Sequence, residues 1–332
     1  MNENGVVVCV PNWLGDGVMA LPAVGAFRKR HPTRTITILA KPSAGPLWGM
    51  TGLAGAFVAL EPGSRGTFRA ARALRHAGSD EAYVLPNSMR SALIPFLGGV
   101  ARRRGTAGHH RRALLSDIVE YPDDVRSGHQ WKEAMHIMRC PVETEPQMPL
   151  LTPAQELLAA CREEWERRGL TARAPVGLIP GAARGAAKRW PAEHFIELGR
   201  RLADRHALVL FGTSSEAHDI GRMAKAIGGN AVSVAGQTPL ENFAGMLALC
   251  RAIVANDSGG MHLAAAVGTP VVAIFGMTDP KKTGPLGTGH VVLRASEEGA
   301  RDIGPDAPEA IACLQALDPD RVHDAVVQVL GS

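Results

Sequence analysis

Short apolar runs alternate with amphipathic stretches along most of the chain, the pattern that predicts parallel strands joined by helical crossovers and so an α/β protein. In the first half, residues 5–10, 35–40 and 82–85 read as strands, followed by Gly- or Pro-bearing turns and then by helical stretches such as 18–30 and 67–76. In the second half the strands are 176–179, 208–211, 232–234, 252–255 and 271–275. Between the halves, residues 140–149 carry three prolines and no apolar periodicity, which suits a linker. The boundary is expected near Leu151, giving domains 1–151 and 152–317. Two doubly wound domains facing each other would bind their ligand in loops beyond the carboxyl ends of the strands.

Composition supports this picture and excludes others. A chain of 332 residues, 45% hydrophobic and 20% charged, is neither disordered nor fibrous. No run approaches the roughly 18–20 apolar residues of a bilayer span, and no basic leader precedes residues 6–10, so a cytoplasmic chain is expected. Its five cysteines show neither CxxC nor Cys/His spacing, so no disulfide framework and no metal site is expected. The net charge of +4 is unevenly spread: between Pro62 and Arg112 ten arginines face only Asp80 and Glu81. That points to an anion-facing surface, or else to an ordinary solvated face in a chain with 29 Arg and 7 Lys. A nucleic-acid role is not expected, because the basic segment lacks a reading helix.

Five post-strand loops carry candidate chemistry. Asn12-Trp13-Leu14-Gly15-Asp16-Gly17 sets one carboxylate, Asp16, among glycines just before the expected helix start at Val18. Asp16 is either a general base for a substrate hydroxyl or a helix cap. No P-loop is present, and only Gly15 and Gly17 of a dinucleotide glycine motif are found. The stretch from Pro180 to Pro191 joins Gly181 and other small residues to Arg184, Lys188 and Arg189, a chemically suitable diphosphate cradle. In Asn256-Asp257-Ser258-Gly259-Gly260-Met261-His262, the Gly259 and Gly260 amides at a helix start form an anion site. There Ser258 can add a hydroxyl, Asp257 can accept from sugar hydroxyls, and His262 either donates to phosphate or is structural. The loops 211–216 and 275–280 combine glycine, hydroxyls and one carboxylate each, suited to ribose or sugar hydroxyls or to helix capping.

Residues 11–16, 85–92 and 180–191, Ala235-Gly236-Gln237-Thr238, and the Asn256–His262 motif together resemble the lipopolysaccharide heptosyltransferases of glycosyltransferase family 9. The similarity runs over nearly the whole chain, and 85–92 with Lys188-Arg189-Trp190-Pro191 is most like the heptosyltransferase II subgroup. The resemblance implies a GT-B fold of two Rossmann-like domains across a cleft, with a C-terminal helix (318–332) that packs back on the first domain. It implies an inverting transfer of L-glycero-D-manno-heptose from ADP-heptose to the lipopolysaccharide inner core, with heptosyl-Kdo2-lipid A as acceptor and no cofactor. Asp16 matches the family's base, Lys188 its phosphate-binding lysine, and Asp257, Ser258, Gly259 and His262 its nucleotide-sugar motif; Glu216 is the nearest match to a ribose-binding acid. The acceptor would meet Asn12, Trp13, Arg65, Arg69, Arg72, Arg75, Arg102 and Arg103. A monomer, peripheral on the cytoplasmic face of the inner membrane, is expected. The competing readings are heptosyltransferase I or another family 9 enzyme, a GT-B nucleotide-sugar epimerase, and a non-catalytic nucleotide-sugar-binding protein.

Overall fold

The computed structural model describes residues 5–108, 110–142, 146–148, 150–170, 174–183, 185–296, 304 and 306–331. The chain divides into two units, the first ending at Pro146 and the second beginning at Gln147. The division falls a few residues before Leu151, because the Leu150 and Leu151 amides both donate to the Ala266 carbonyl and so belong to the second unit.

Each unit is built on a six-stranded, wholly parallel sheet. The first holds β1 (Val6–Cys9), β2 (Ile36–Ala40), β3 (Ala56–Ala59), β4 (Glu81–Val84), β5 (Arg102–Thr106) and β6 (Asp117–Val119), in the order β3-β2-β1-β4-β5-β6. The second holds β7 (Val176–Ile179), β8 (Leu208–Leu210), β9 (Ala231–Ser233), β10 (Ala252–Asn256), β11 (Val271–Phe275) and β12 (Val291–Arg294), in the order β12-β11-β10-β7-β8-β9. Counted within its own unit, each order is the doubly wound one that reverses between its first and fourth strands. Central strands are covered on both faces and read as unbroken apolar runs: β1, β7, β10 and β11 are buried throughout. Strands β3, β5, β6 and β12 were not expected from the pattern. β3 is largely open to solvent, β12 is mostly half-buried, and β5 (Arg-Arg-Arg-Gly-Thr) spends its charges on ion pairs and carbonyls.

The helices bury the positions that their periodicity dictates. In the Gly63–Ala77 helix, Thr67, Ala70, Ala71 and Leu74 face the sheet at i, i+3, i+4, i+7. Gly78 ends it in the left-handed region at φ 64. Gly66 is required on its inner side, since a Cβ there would stand 2.2 Å from the Glu61 carbonyl oxygen. This helix and the Met89–Leu97 helix share a core with Val7, Cys9, Ala82 and Val84. The Leu14–Arg30 helix lies on the other face, where its Phe27 meets Tyr83, the residue between Ala82 and Val84, at a ring separation of 5.5 Å.

The buried Val322, Ala325, Val326 and Val329 of the C-terminal helix, Pro319–Gly331, join the core of the second unit with Phe195, Leu198 and Val272. The Trp190 indole, which donates to the Leu317 carbonyl at 2.9 Å, anchors the turn that leads into this helix.

Candidate functional site

The second unit's site grows from its switch point, where β7 and β10 are neighbours and their following loops leave the same edge of the sheet. Asn256, the last residue of β10, is fully buried. Its amide group donates to the Pro180 carbonyl at 2.7 Å, and its side-chain oxygen accepts from the Trp190 amide at 3.0 Å. One carboxamide therefore holds both ends of the loop that carries Lys188.

Lys188, on a short 3-10 turn over Ala186–Lys188, reaches Asp257 and forms an ion pair with its Oδ2. The Thr278 hydroxyl, from the loop after β11, donates to the same oxygen at 3.0 Å. Only 7% of the Asp257 side chain and 17% of that of Lys188 remain exposed, so the pair is largely dry and each charge depends on the other. Beside it, Glu216 closes a capping box, its Oε2 accepting from the Thr213 amide at 3.0 Å and the Thr213 hydroxyl at 2.8 Å. The same carboxylate packs on Gly181, where an added Cβ would lie 2.3 Å from Oε1. Arg189 lies 3.5 Å from Glu216 and donates to the Ala182 carbonyl, tying the two loops together.

Asp257 runs directly into an anion-receptive helix start. Ser258 is the N-cap residue of the Gly259–Ala266 helix, in extended backbone, yet its side chain makes no capping bond and its buried hydroxyl has no hydrogen-bond partner among the described residues. The first-turn amides, those of Gly259 and Gly260 among them, lack partners within the helix and stand at its positive end. His262 follows in the same turn, 5% exposed. The structure thus gathers Gly181, Lys188, Glu216, Asp257, Ser258, Gly259, Gly260 and His262 on loops and a helix start at one edge of one sheet. Arg184 lies outside the described residues.

The first unit's counterpart is more open. The helix after β1 begins at Leu14, not Val18, with Trp13 as its N-cap residue, so Asp16 sits inside the first turn and is not itself the N-cap residue. There the helix dipole favours its negative charge. Asp16 is half-buried, Trp13 is 58% exposed, and the Asn12 side-chain oxygen accepts from the Lys41 amide at 3.1 Å. From behind, the wholly buried Arg111 donates to the Thr106 carbonyl at 2.8 Å and the Ser91 hydroxyl at 3.2 Å, bracing the loop after β4. Burial lowers the Arg111 pKa and pushes the Cys9 thiol up to about 12, which leaves that cysteine inert.

The six arginines expected to face one acceptor do not form one surface. Arg65, Arg69, Arg72 and Arg75 lie on the outward face of the Gly63–Ala77 helix, on the opposite side of the sheet from the helix of Asp16. Arg65 alone of these is in the first turn, at the carboxyl edge of the sheet. Arg102 and Arg103 open β5 and so lie at the amino edge, the far end from Asp16. Their guanidinium groups are already engaged: Arg102 pairs with Asp80 at 2.7 Å, and Arg103 donates to the Leu114 and Ala101 carbonyls at 2.7 and 2.8 Å.

Two residues of the second unit's site escaped the sequence reading. Asn256 stood inside the motif but offered no charge to mark it. Thr278 was one of several hydroxyls in a loop of uncertain partner, and only the adjacency of β10 and β11 brings it to Asp257.

Comparison with known proteins agrees with this geometry. The sequence pattern of glycosyltransferase family 9 (heptosyltransferase) matches residues 67–308. Lipooligosaccharide heptosyltransferase 2 of Haemophilus ducreyi is 31% identical over 98% of this chain and 99% of its own length. Lipopolysaccharide heptosyltransferase 2 of Escherichia coli is 33% identical over 87% of each chain. Among solved structures, E. coli ADP-heptose lps heptosyltransferase II superposes with a TM-score of 0.84 over 98% of both chains at 28% identity. With paired doubly wound sheets, an anion-receptive switch point and a family pattern that covers most of its length, the chain belongs to glycosyltransferase family 9, the heptosyltransferases.

Proposed function

We propose that this chain is an inverting heptosyltransferase that moves L-glycero-D-manno-heptose from ADP-heptose to the lipopolysaccharide inner core, with heptosyl-Kdo2-lipid A as acceptor. The observation that carries the reading is the Lys188–Asp257–Thr278 cluster set against the uncapped start of the Gly259–Ala266 helix. It offers a diphosphate one lysine, one unused hydroxyl and free amides at the positive end of a helix.

The donor's diphosphate takes Lys188, Ser258 and the Gly259 and Gly260 amides, with His262 as a further donor and Glu216 at the ribose. Arg184, by its place in the same loop of the sequence, is a further candidate cation for the donor. On the first unit, Asp16 accepts the proton of the acceptor hydroxyl as that oxygen attacks the anomeric carbon. The bond from that carbon to the diphosphate oxygen breaks, ADP departs with the electron pair, and the configuration inverts. Charge growing on the leaving diphosphate is met by Lys188 and the helix start, which accelerate the step only insofar as they bind that charge more tightly in the transition state. No metal or cofactor enters the proposed step, and turnover should persist in EDTA. On the acceptor side, Asn12, Trp13 and Arg65 are the contacts at the carboxyl edge. The enzyme works as a monomer, peripheral on the cytoplasmic face of the inner membrane; among the described residues no helix is long and apolar enough to cross it.

The test is direct. Purified protein given ADP-heptose should release ADP with heptosyl-Kdo2-lipid A and not with Kdo2-lipid A. Transfer to Kdo2-lipid A instead would assign the first heptose to this enzyme, and ADP-heptose consumption with no acceptor would turn the reading toward an epimerase.

A further inference from the structure

Beyond Arg65 in its first turn, the outward face of the Gly63–Ala77 helix has no role in the chemistry described above. Its side chains are Arg65, Phe68, Arg69, Arg72, Arg75 and His76, all exposed. Phe68 is 64% exposed in the midst of the arginines, a placement that water alone does not favour. The next helix, Met89–Leu97, packs alongside and adds Phe96, 45% exposed, with the Arg103 guanidinium 5.3 Å over its ring. Neither helix contains an acidic residue. Among the described residues, Arg69 alone of the face's cations has an ion-pair partner, Glu61, while Arg75 donates to the Leu97 carbonyl.

We infer that this face is the membrane-docking surface of the enzyme and that its partner is a bilayer rich in anionic phospholipid. The chemistry is complementary at two levels. Long guanidinium side chains reach headgroup phosphates, while Phe68 and Phe96 enter the boundary between headgroups and acyl chains, as on helices that lie in the interface plane. A helix of this length presents a strip of roughly 22 Å, at 1.5 Å per residue, enough to meet several lipids. Such a surface explains why apolar rings remain exposed beside so many like charges. Arg69, Arg72 and Arg75, expected from the sequence to face acceptor anions, thereby hold the enzyme where a lipid-borne acceptor is found. The inference rests on the lipid acceptor of the proposed reaction for its purpose only.

Vesicle sedimentation separates the two readings. The full chain should sediment with phosphatidylcholine vesicles that contain phosphatidylglycerol, should not sediment with phosphatidylcholine alone, and should be released by salt. Arg72→Glu, which changes the local charge by two units, should weaken vesicle binding by roughly 25-fold. Phe68→Ser should weaken it by roughly tenfold. Both variants should keep parental ADP affinity and parental turnover on a delipidated, water-soluble acceptor. Equal sedimentation with both vesicle types, or variants that sediment like the parent, would overturn the inference. Loss of turnover on the soluble acceptor would return these residues to the acceptor site and also overturn it. An inactive parent that still binds anionic vesicles would refute the reaction and leave the docking surface standing.

Discussion

The two units share one strand order but use their switch points differently. In the second, the residues at and beyond the ends of β7, β10 and β11 are already bonded: Lys188 to Asp257, Thr278 to Asp257, and Asn256 to both ends of the lysine loop. In the first, the corresponding edge offers a half-buried Asp16 and a largely exposed Trp13. A diphosphate presents the same charge in every donor, so a fixed, preorganised cradle suits it. An acceptor hydroxyl on a branched, lipid-borne sugar needs a base that remains reachable. Topology decides where chemistry can sit, and the few residues after each strand decide which chemistry it is.

Lys188→Ala is the largest disturbance expected on the prewired side. It should lower turnover by about 10²–10³-fold, as loss of one group stabilising the developing charge does. ADP titration should show weaker binding in the same variant; unchanged affinity and rate would remove Lys188 from the site. Asn256→Leu should cost about 1–3 kcal/mol in urea unfolding, because the Trp190 amide and Pro180 carbonyl lose a buried partner. It should weaken ADP binding too, since the loop loses its anchor at both ends. Thr278→Val deletes one bond to a buried carboxylate and should cost about 1.5–3 kcal/mol. A Thr278→Ser variant should restore ADP affinity if the hydroxyl positions Asp257.

The smallest contrast between the units is acid sensitivity. His290, in the second unit, has its pKa lowered by burial, against a bond to the Leu286 carbonyl, and its Nδ1 accepts from the Val271 amide at 3.1 Å. Its folded value lies below the ordinary 6.5, so its contribution is whole above about that pH and is lost as pH falls through the lowered value. In the first unit Glu81 is lowered although burial opposes it, because bonds from Arg34 and Tyr83 and the nearby Arg102 outweigh that cost. Asp117 is likewise lowered, with Arg104 and Arg139 overcoming burial. Those contributions are whole above the ordinary 4.5 and 3.8 and are lost only as pH falls through still lower values. Hydrogen exchange at descending pH should therefore find the second unit's β11 region loosening first. Simultaneous loosening of both sheets would contradict this.

Much of this arrangement is legible in the chain, and the exceptions have physical causes. Doubly covered strands such as β1 and β10 announce themselves as apolar runs, and cations or glycines just after them mark the cradle. The start of the first helix misleads because Gly15 and Gly17 resemble a loop. Gly17 is in fact a packing glycine, since a Cβ there would stand 2.9 Å from Leu47. β5 is hidden because its arginines are satisfied by Asp80, by Asp117 and by carbonyls distant in sequence. The arginines looked like one patch because nearness along the chain says nothing about which face or edge of a sheet a residue reaches. The C-terminal helix carries a plain apolar stripe, but a stripe does not name the core it covers.

The division of labour between the two units is tested most directly by measuring ADP affinity and heptosyl transfer on one preparation of Asp16→Asn. The account predicts ADP binding equal to the parent and transfer lower by about 10²–10⁴-fold. Near-parental transfer, or ADP binding lost together with transfer, would contradict it.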